Sequence, residues 1–272
     1  MRRRSHPWRP RRPNPVLMKT RPLLEISVET IDAALAAVRG GADRVELCRD
    51  LPAGGLTPNA AMMREAREKI ELPIFVMIRP RGGGFCYSPA EVDEMKRQIG
   101  LAAKARMDGV VLGILTRTGS VDVERVAELV KHAKPLPVTF HRAFDEAQGD
   151  RQAELSRRLE DVILTGATRL LTSGGTRTAE EGRRKIARLV RQAADRFTIL
   201  PGGGIRPGNL RSIVQKTRAS EFHSGLGSLI PYPRRRYEEF EAGVRELVRI
   251  LEEESGGREK TAEAEASGRS LA

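Results

Sequence analysis

The stretches LLEISV at residues 23–28, DRVELC at 43–48 and IFVMIR at 74–79 decide the fold. Each is a short apolar run followed by a longer segment with helical patterning. Continuous apolarity over so few residues is typical of strands that are buried on both faces of a parallel sheet. Five more runs of the same kind follow along the chain: GVVLG (109–113), LPVTFH (136–141), TRLLTS (168–173), FTILPG (197–202) and SEFHSG (220–225).

The segments between these runs carry residues that begin and end helices. The predicted caps, capping boxes and helix end are Thr57-Pro58, Ser88–Glu91, Thr178–Glu181 and Gly40-Gly41. Eight strand–helix units predict a single-domain α/β fold, the TIM (β/α)8 barrel, over residues 22–250. A doubly wound sheet is the alternative, but it usually has fewer strands and a glycine-rich turn after its first strand.

The two ends of the chain differ from this middle region. Residues 1–21 hold eight basic residues and no acidic one, and they are rich in proline. Such a segment cannot form an apolar core, so we predict a disordered basic leader. Residues 251–272 have the pattern of a fraying helix followed by solvated coil, and we predict a short disordered tail there.

Charge and composition bound the function. The net charge is +12, but much of the excess lies in residues 1–21, so nucleic-acid binding through the arginines of residues 2–12 is the weakest hypothesis. No run approaches the ~20 apolar residues that span a bilayer, so no membrane partner is expected. Only two cysteines are present, Cys48 and Cys86, which indicates a reducing compartment and a cytoplasmic protein.

A TIM barrel fixes in advance where its chemistry lies, because active sites occupy the C-terminal ends of the strands. Ionisable residues interrupt the apolar runs there, at Glu25, Glu46, Arg79, His141 and His223. Buried charges must be paired, so we expect Arg79 to be the counter-ion of Glu25 and Glu46. The set suits proton transfer beside a carbonyl or phosphate group, with His141 or a glutamate as base and Arg79 holding an anion. A purely structural ion cluster is the alternative.

Two glycine-rich stretches follow the last two runs. Gly202, Gly203 and Gly204 come after the seventh run and Ser224-Gly225 after the eighth, where these barrels usually bind phosphate. Thr172 and Ser173, at the end of the sixth run, add hydroxyl groups to this candidate anion site. The alternative, which is equally supported, is that the glycines only form tight turns with positive φ.

The sulfur-containing residues are candidate metal ligands. Cys48 and Cys86 lack the C-x-x-C spacing of a zinc site. A soft ion such as Cu(I) accepts sulfur and nitrogen ligands, and the candidate donors by type are Cys48, Cys86, Met77 and His141. Residue chemistry alone favours an inert buried thiol over a metal ligand at these positions.

Seven motifs make the sequence similar to a known family. They are GGADRVELC (40–48), GGLTPN (54–59), MIRPRGGGFCYS (77–88), VTFHRAFD (138–145), LTSGG (171–175), LPGGGI (200–205) and EFHSG (221–225). Over residues 22–250 the chain resembles the CutC copper homeostasis protein family. The resemblance implies a TIM barrel, a cytoplasmic setting, binding of copper as Cu(I), a role in copper handling and a homo-oligomer.

The resemblance also points to site residues. The polar residues that match the family's motifs are Glu25, Glu46, Arg79, Arg81, His141, Arg142, Asp145, Thr172, Ser173 and His223. We expect Asp145 among the catalytic residues and Arg81 among the anion-binding ones. Two positions depart from the family: Ser27 stands where some members carry cysteine, which removes a soft donor, and Gly84 replaces a usual aspartate.

Two functions follow from these observations. The first is a copper homeostasis protein that binds copper through Cys48 and neighbouring donors. The second is a TIM-barrel enzyme that acts on a small anionic, phosphorylated substrate by Glu/His acid–base chemistry. The sequence leaves open whether the protein is an enzyme.

Overall fold

A computed structural model describes residues 21–149, 151–227 and 237–269 of the chain, with side chains to residue 256. Every one of the eight apolar runs contains a strand, as predicted. The strands are β1 (Leu23–Val28), β2 (Arg44–Leu47), β3 (Ile74–Met77), β4 (Gly109–Leu112), β5 (Val138–Phe140), β6 (Arg169–Thr172), β7 (Thr198–Pro201) and β8 (Glu221–Ser224).

All the strand pairs are parallel, and all but the pair of β1 with β8 join strands that are consecutive in sequence. Hydrogen bonding runs in the order β7-β6-β5-β4-β3-β2-β1-β8, and Glu25 of β1 lies between Arg44 of β2 and His223 of β8. β7 and β8, the two ends of this order, lie side by side, so the sheet forms a nearly closed barrel. The predicted TIM-barrel fold is confirmed.

Helices alternate with the strands on the outside of the barrel. In the described part of the chain they are α1 (Ile31–Arg39), α2 (Ala60–Lys69), α3 (Pro89–Lys104), α4 (Val123–Ala133), α5 (Ala143–Glu146), α6 (Gln152–Leu164), α7 (Ala179–Ala193), α8 (Pro207–Thr217) and α9 (Tyr237–Arg269). None of the helices in this part of the chain is long and apolar enough to cross a membrane.

Some of the predicted helix caps and capping boxes are present in the structure, and others are not. Ser88 and Glu91 form the capping box of α3, and Gly40 ends α1. Thr178 caps α7, but the carboxylate of Glu181 pairs with an arginine and does not complete a box.

The predicted cap at Thr57 is wrong, because Asn59 caps α2. The Thr57 hydroxyl is buried instead, where it donates to Gln98 Oε1 at 2.6 Å and accepts from the Arg79 backbone N–H at 2.7 Å. A threonine before a proline satisfies the local capping pattern, but here its hydroxyl joins α3 to the end of β3.

The strands divide their side chains between two environments. Leu24, Ile26 and Leu47 are fully buried in the apolar layer that also holds the inner faces of the helices. The residues that alternate with them, such as Glu25 and Glu46, point into the barrel, since successive side chains of a strand face opposite sides. The barrel interior is therefore polar at one end.

The ring of Phe75, which pairs with Glu46 between β3 and β2, fills part of the barrel interior. The guanidinium carbon of Arg44 lies 4.9 Å from the ring centroid and that of Arg169 lies 5.0 Å from it. Gly109 faces the same ring, and a Cβ there would come within 2.5 Å of it, so only glycine leaves room for Phe75.

Both predicted ends of the ordered region need correction. Residues 1–20 of the predicted leader lie outside the described residues, but Arg21 is ordered, with Nη1 2.6 Å from Asp43 Oδ2 and Nε 3.6 Å from Glu252 Oε1. The predicted tail boundary at 250 is too early, because α9 continues to Arg269 and buries Leu251 and Ser255. Ser255 lies one turn beyond Leu251 and donates to its carbonyl at 2.9 Å, so the buried face of α9 continues past the acidic residues 252–254. Residues 270–272 lie outside the description.

Candidate functional site

Three of the predicted residues meet inside the barrel, on the neighbouring strands β8, β1 and β2. His223 Nδ1 lies 2.7 Å from Glu25 Oε1, and His223 Nε2 lies 3.8 Å from Glu46 Oε2. All three side chains are buried, and one ligand atom from each lies within 4.8 Å of the others. Neighbouring strands β8, β1 and β2 bring together residues that are far apart in sequence.

The counter-ion of this cluster is Arg44, and the prediction that Arg79 neutralises Glu25 and Glu46 is wrong. Arg44 Nε bonds Glu25 Oε2, and its Nη2 lies 2.5 Å from Glu221 Oε2, which also pairs with Arg169 at 3.2 Å. Alternation within β2 and β8 places Arg44 and Glu221 on the inner face with Glu46 and His223, so the pattern that revealed the cluster also contained its missed members.

Arg79 is engaged elsewhere. Its guanidinium donates to the carbonyls of Ala53 at 3.0 Å and Gly83 at 2.7 Å, and it lies 4.7 Å from the ring centroid of Phe85. An arginine that bonds backbone carbonyls holds loops in place. The two loops that follow β2 and β3 are therefore joined through this side chain.

The buried charges shift one another's pKa values in opposite directions. Burial by itself raises the pKa of Glu25, but the positive charge of Arg44 and the hydrogen bond with His223 outweigh it and lower the pKa to about 2. Burial raises the pKa of Glu46, and the charge of His223 only partly opposes it. Burial lowers the pKa of His223, but Glu46 and Glu25 prevail and raise it above its ordinary value. Glu46 is thus the group best suited to accept a proton.

Cys48 lies at the edge of this cluster. Its buried thiol donates to Glu46 Oε2 at 3.5 Å, and burial followed by the charge of Glu46 raises its pKa. Met77 belongs to the same small apolar group, and a Cβ at Gly55 would touch both Cys48 Sγ and Met77 Cε. Cys86, by contrast, is exposed on the loop after β3, so the predicted pair of thiols is divided between the interior and the surface.

His141 lies apart from the carboxylates. Its ring packs against Phe85, with a centroid distance of 4.8 Å, and its Nδ1 accepts the backbone N–H of Ala143 at 3.2 Å. Burial, together with the nearby charge of Arg79, lowers the pKa of His141 to about 3. A histidine with this pKa is neutral at physiological pH and a weak base, so its environment does not favour the predicted role of His141 as base, which stays a prediction.

Asp145 has a structural environment. Its two oxygens accept hydrogen bonds from Thr172 Oγ1, from Ser173 N and Oγ, from Gly175 N and from Arg142 Nε, at distances between 2.5 and 3.0 Å. The carboxylate is thereby saturated, and it ties α5 to the loop after β6. The predicted catalytic role of Asp145 has no free oxygen to support it.

The predicted anion-binding residues are similarly divided. Arg81 bonds Glu91 and the carbonyls of its own loop, and Ser224 donates to Ile205 O at 2.7 Å, so both are already engaged. Arg142 donates through Nε and Nη2, and its Nη1 lies beside Gly203: a Cβ on that glycine would come within 3.1 Å of it.

The glycines themselves support the tight-turn alternative. Gly203 and Gly204 have φ of +100° and +68°, values that L side chains rarely adopt. Gly202 approaches Leu171 and His223 so closely that a Cβ would lie 2.4 Å from the first and 3.2 Å from the second. A Cβ at Gly225 would meet Ser27 Oγ at 2.9 Å. Positive φ thus accounts for Gly203 and Gly204 and close packing for Gly202 and Gly225, and the predicted anion site at these glycines stays a prediction.

Fold and site together define a TIM-barrel protein with a carboxylate–histidine cluster buried inside the barrel between β8, β1 and β2. The model of the CutC family matches residues 22–228. The chain is 44% identical over 206 residues to the copper homeostasis protein cutC homolog of Homo sapiens, which covers 76% of this chain and 74% of that protein. It is 45% identical over 202 residues to the family protein CutC of Chromobacterium violaceum, covering 74% and 80%. This chain belongs to the CutC family.

Solved structures agree with this assignment. The crystal structure of CutC from Streptococcus agalactiae superposes with a TM-score of 0.70 at 32% identity, over 75% of this chain and 98% of that one. Phosphoribosylanthranilate isomerase from Thermotoga maritima reaches a TM-score of 0.56 at 16% identity, over 84% and 98%. The second likeness concerns the barrel fold alone.

Proposed function

We propose that this protein handles copper and binds Cu(I) at the buried end of β2, with Cys48 as the principal ligand. The observation that carries the proposal is the position of the Cys48 thiol, 3.5 Å from a Glu46 oxygen that also faces His223 Nε2. Sulfur and imidazole nitrogen are donors that Cu(I) accepts. Copper is here the cargo of the protein.

The residues present fit this ion in two further respects. Met77 packs with Cys48, which places a thioether beside the thiol. Glu46 Oε1 is buried without a hydrogen-bond partner in the described chain, so this carboxylate has a free oxygen that can take up the thiol proton when the ion binds. Ser27 weakens the fit, since a hydroxyl is a hard donor.

Loading the ion requires that the thiol lose its proton. Burial and the charge of Glu46 raise the pKa of Cys48, so this proton does not leave spontaneously at neutral pH. Glu46 already accepts the thiol's hydrogen bond, and its own raised pKa makes it the nearest base. We therefore assign to Glu46 the acceptance of the thiol proton.

Acid–base chemistry on a small anionic substrate is the second candidate function. Glu25, His223 and Glu46 form a chain in which one carboxylate orients the imidazole and the other exchanges protons, as in many hydrolytic and isomerising sites. Arg142 Nη1 beside Gly203 supplies a positive group for the anion. This candidate needs no sulfur, and that difference separates it from copper binding.

Anaerobic Cu(I) titration of the full chain against a competing chelator tests the copper proposal. We expect Cys48→Ser to weaken Cu(I) binding by about tenfold or more, because a hydroxyl replaces the soft donor. Cys86→Ser is the matched control, since that thiol is exposed and lies outside the cluster. Equal affinities of Cys48→Ser and the wild type would overturn the copper site and leave the acid–base candidate.

The cellular setting and assembly are also part of this proposal. Both cysteines are free thiols, which supports a reducing, cytoplasmic location. The family resemblance supports a homo-oligomer.

A further inference from the structure

A second set of buried polar groups lies on the β3–β5 side of the barrel, and the copper proposal does not use it. Arg79, Thr139 and His141 are each at least nine-tenths buried. Arg79 Nε, Thr139 Oγ1 and His141 Nε2 have no hydrogen-bond partner among the residues that the structure describes. A buried donor left unpaired costs about 1–3 kcal/mol, so three of them on two nearby strands indicate a missing acceptor.

The sheet register places these groups in adjacent rows. Met77, Val111 and Thr139 pair across β3, β4 and β5, and two residues further on each strand come Arg79, Gly113 and His141. Position 113 must be glycine, because a Cβ there would lie 2.6 Å from His141 Nδ1. The imidazole therefore occupies the space between its own strand and that of Arg79.

An aromatic side chain covers both groups. The Phe85 ring lies 4.8 Å from the His141 ring centroid and 4.7 Å from the Arg79 guanidinium carbon. Phe85 belongs to the loop after β3, which Arg79 itself ties down through Gly83 O at 2.7 Å. A ligand at this place would be screened from water by Phe85.

His141 is held in one tautomer. The backbone N–H of Ala143 donates to Nδ1, so that nitrogen is an acceptor and the proton of the neutral ring resides on Nε2. Burial and the charge of Arg79 lower the pKa of His141 to about 3, so the ring keeps this form at neutral pH. Nε2–H is thus a fixed donor.

We infer that Arg79, Thr139 and His141 form a binding site for the oxyanion of a small molecule, either a carboxylate or a phosphate monoester. All three groups can donate, and Arg79 adds a positive charge, so the ligand must present acceptor oxygens. The site goes beyond copper binding, and it is separate from the position beside Arg142 that the second candidate function uses.

The test is a titration of the metal-free full chain, labelled with ¹⁵N at histidine, with sodium acetate in one arm and inorganic phosphate in the other. We expect one of the two probes to move the His141 Nε2–H resonance, and the responding arm identifies the oxyanion. Thermal stabilisation by that probe gives an apparent affinity. His141→Phe should lower it by about tenfold or more, and His141→Gln, which retains an N–H donor, should restore part of it. If His141→Phe does not fold, Thr139→Val takes its place. This variant removes the hydroxyl donor, so it too should lower the apparent affinity of the probe.

Two results would overturn the inference. One is a His141 resonance that neither probe moves. The other is binding that survives in His141→Phe but is abolished by Arg142→Ala, because the anion would then lie at the loop after β6. Neither result bears on the Cu(I) titration, since these measurements contain no metal.

Discussion

His223 and His141 are both buried at the same end of one barrel, yet their protonation is opposite. His223 lies between two carboxylates, which raise its pKa, whereas His141 has an arginine and a phenyl ring nearby, and its pKa falls to about 3. Burial alone lowers the pKa of both rings. The neighbours of each histidine, rather than its depth, therefore decide which one carries charge.

The difference divides the barrel interior into two halves of unlike chemistry. The β8–β1–β2 half holds the carboxylates, the thiol and a histidine that readily takes a proton. The β3–β5 half holds donors that keep their protons. A site of this kind can bind a cation on one side and an anion on the other, and the following experiments test each half.

The largest expected effect comes from removing the charge of Arg44, which neutralises the buried carboxylates of the β8–β1–β2 half. Arg44→Leu leaves Glu25 and Glu221 buried without their main partner, so we expect a loss of about 3–5 kcal/mol in the free energy of unfolding at neutral pH. Denaturant unfolding measures it. Arg97→Ala is the control, because its pair with Glu94 has a similar length of 2.6 Å but is exposed, and its stability should match the wild type. Equal stabilities of the two variants would contradict the assigned role of Arg44.

An intermediate effect is expected for the pH dependence of the protein's stability, through His141 in the β3–β5 half. The pKa of His141 is about 3 in the folded protein and near 6.5 when unfolded, so below pH 6.5 only the unfolded chain takes up this proton. The free energy of unfolding that comes from keeping His141 neutral is complete above pH 6.5. It is lost as the pH falls toward 3, by about 1.4 kcal/mol per pH unit.

Denaturant unfolding between pH 7 and pH 5 measures this slope. His141→Gln should show a slope shallower by that amount, whereas His132→Gln, on the exposed side of α4, should keep the wild-type slope. If His141→Gln and the wild type have the same slope, the ring is not held neutral.

The smallest effect is expected for the titration of His223. Glu46→Gln removes the charge that most raises this pKa, so the pKa of His223 should fall by about one unit. ¹⁵N NMR of the imidazole follows it directly, with His141 in the same spectra as an internal reference that does not titrate near neutral pH. If the pKa of His223 is unchanged in Glu46→Gln, the charge of Glu46 is not what raises it.

The fold was predictable because a short run of apolar residues indicates a buried strand, and eight such runs separated by helices indicate the barrel. All eight runs contain strands, and the inward alternation correctly brought Glu25, Glu46 and His223 together. These patterns are visible within each strand, and the parallel pairing of the strands in a barrel is enough to bring the inward-facing residues together.

The partners within the site were not predictable in the same way. Arg44 and Arg79 both follow the inward alternation, and their charge is identical, so only the stagger between strands decides which one reaches Glu25. The Thr57 hydroxyl and the Asp145 carboxylate likewise fit local motifs, but their partners come from distant loops. Protonation of His141 depends on such partners too, which is why the sequence suggested a base where the structure has a donor.

Phe75 fills the barrel interior, with the guanidinium carbons of Arg44 and Arg169 lying 4.9 and 5.0 Å from its ring centroid. The centre of a TIM barrel is a packed core and not a pore. An ion or molecule bound at the C-terminal ends of the strands therefore enters and leaves by the same face, so a partner that receives it has to approach that face.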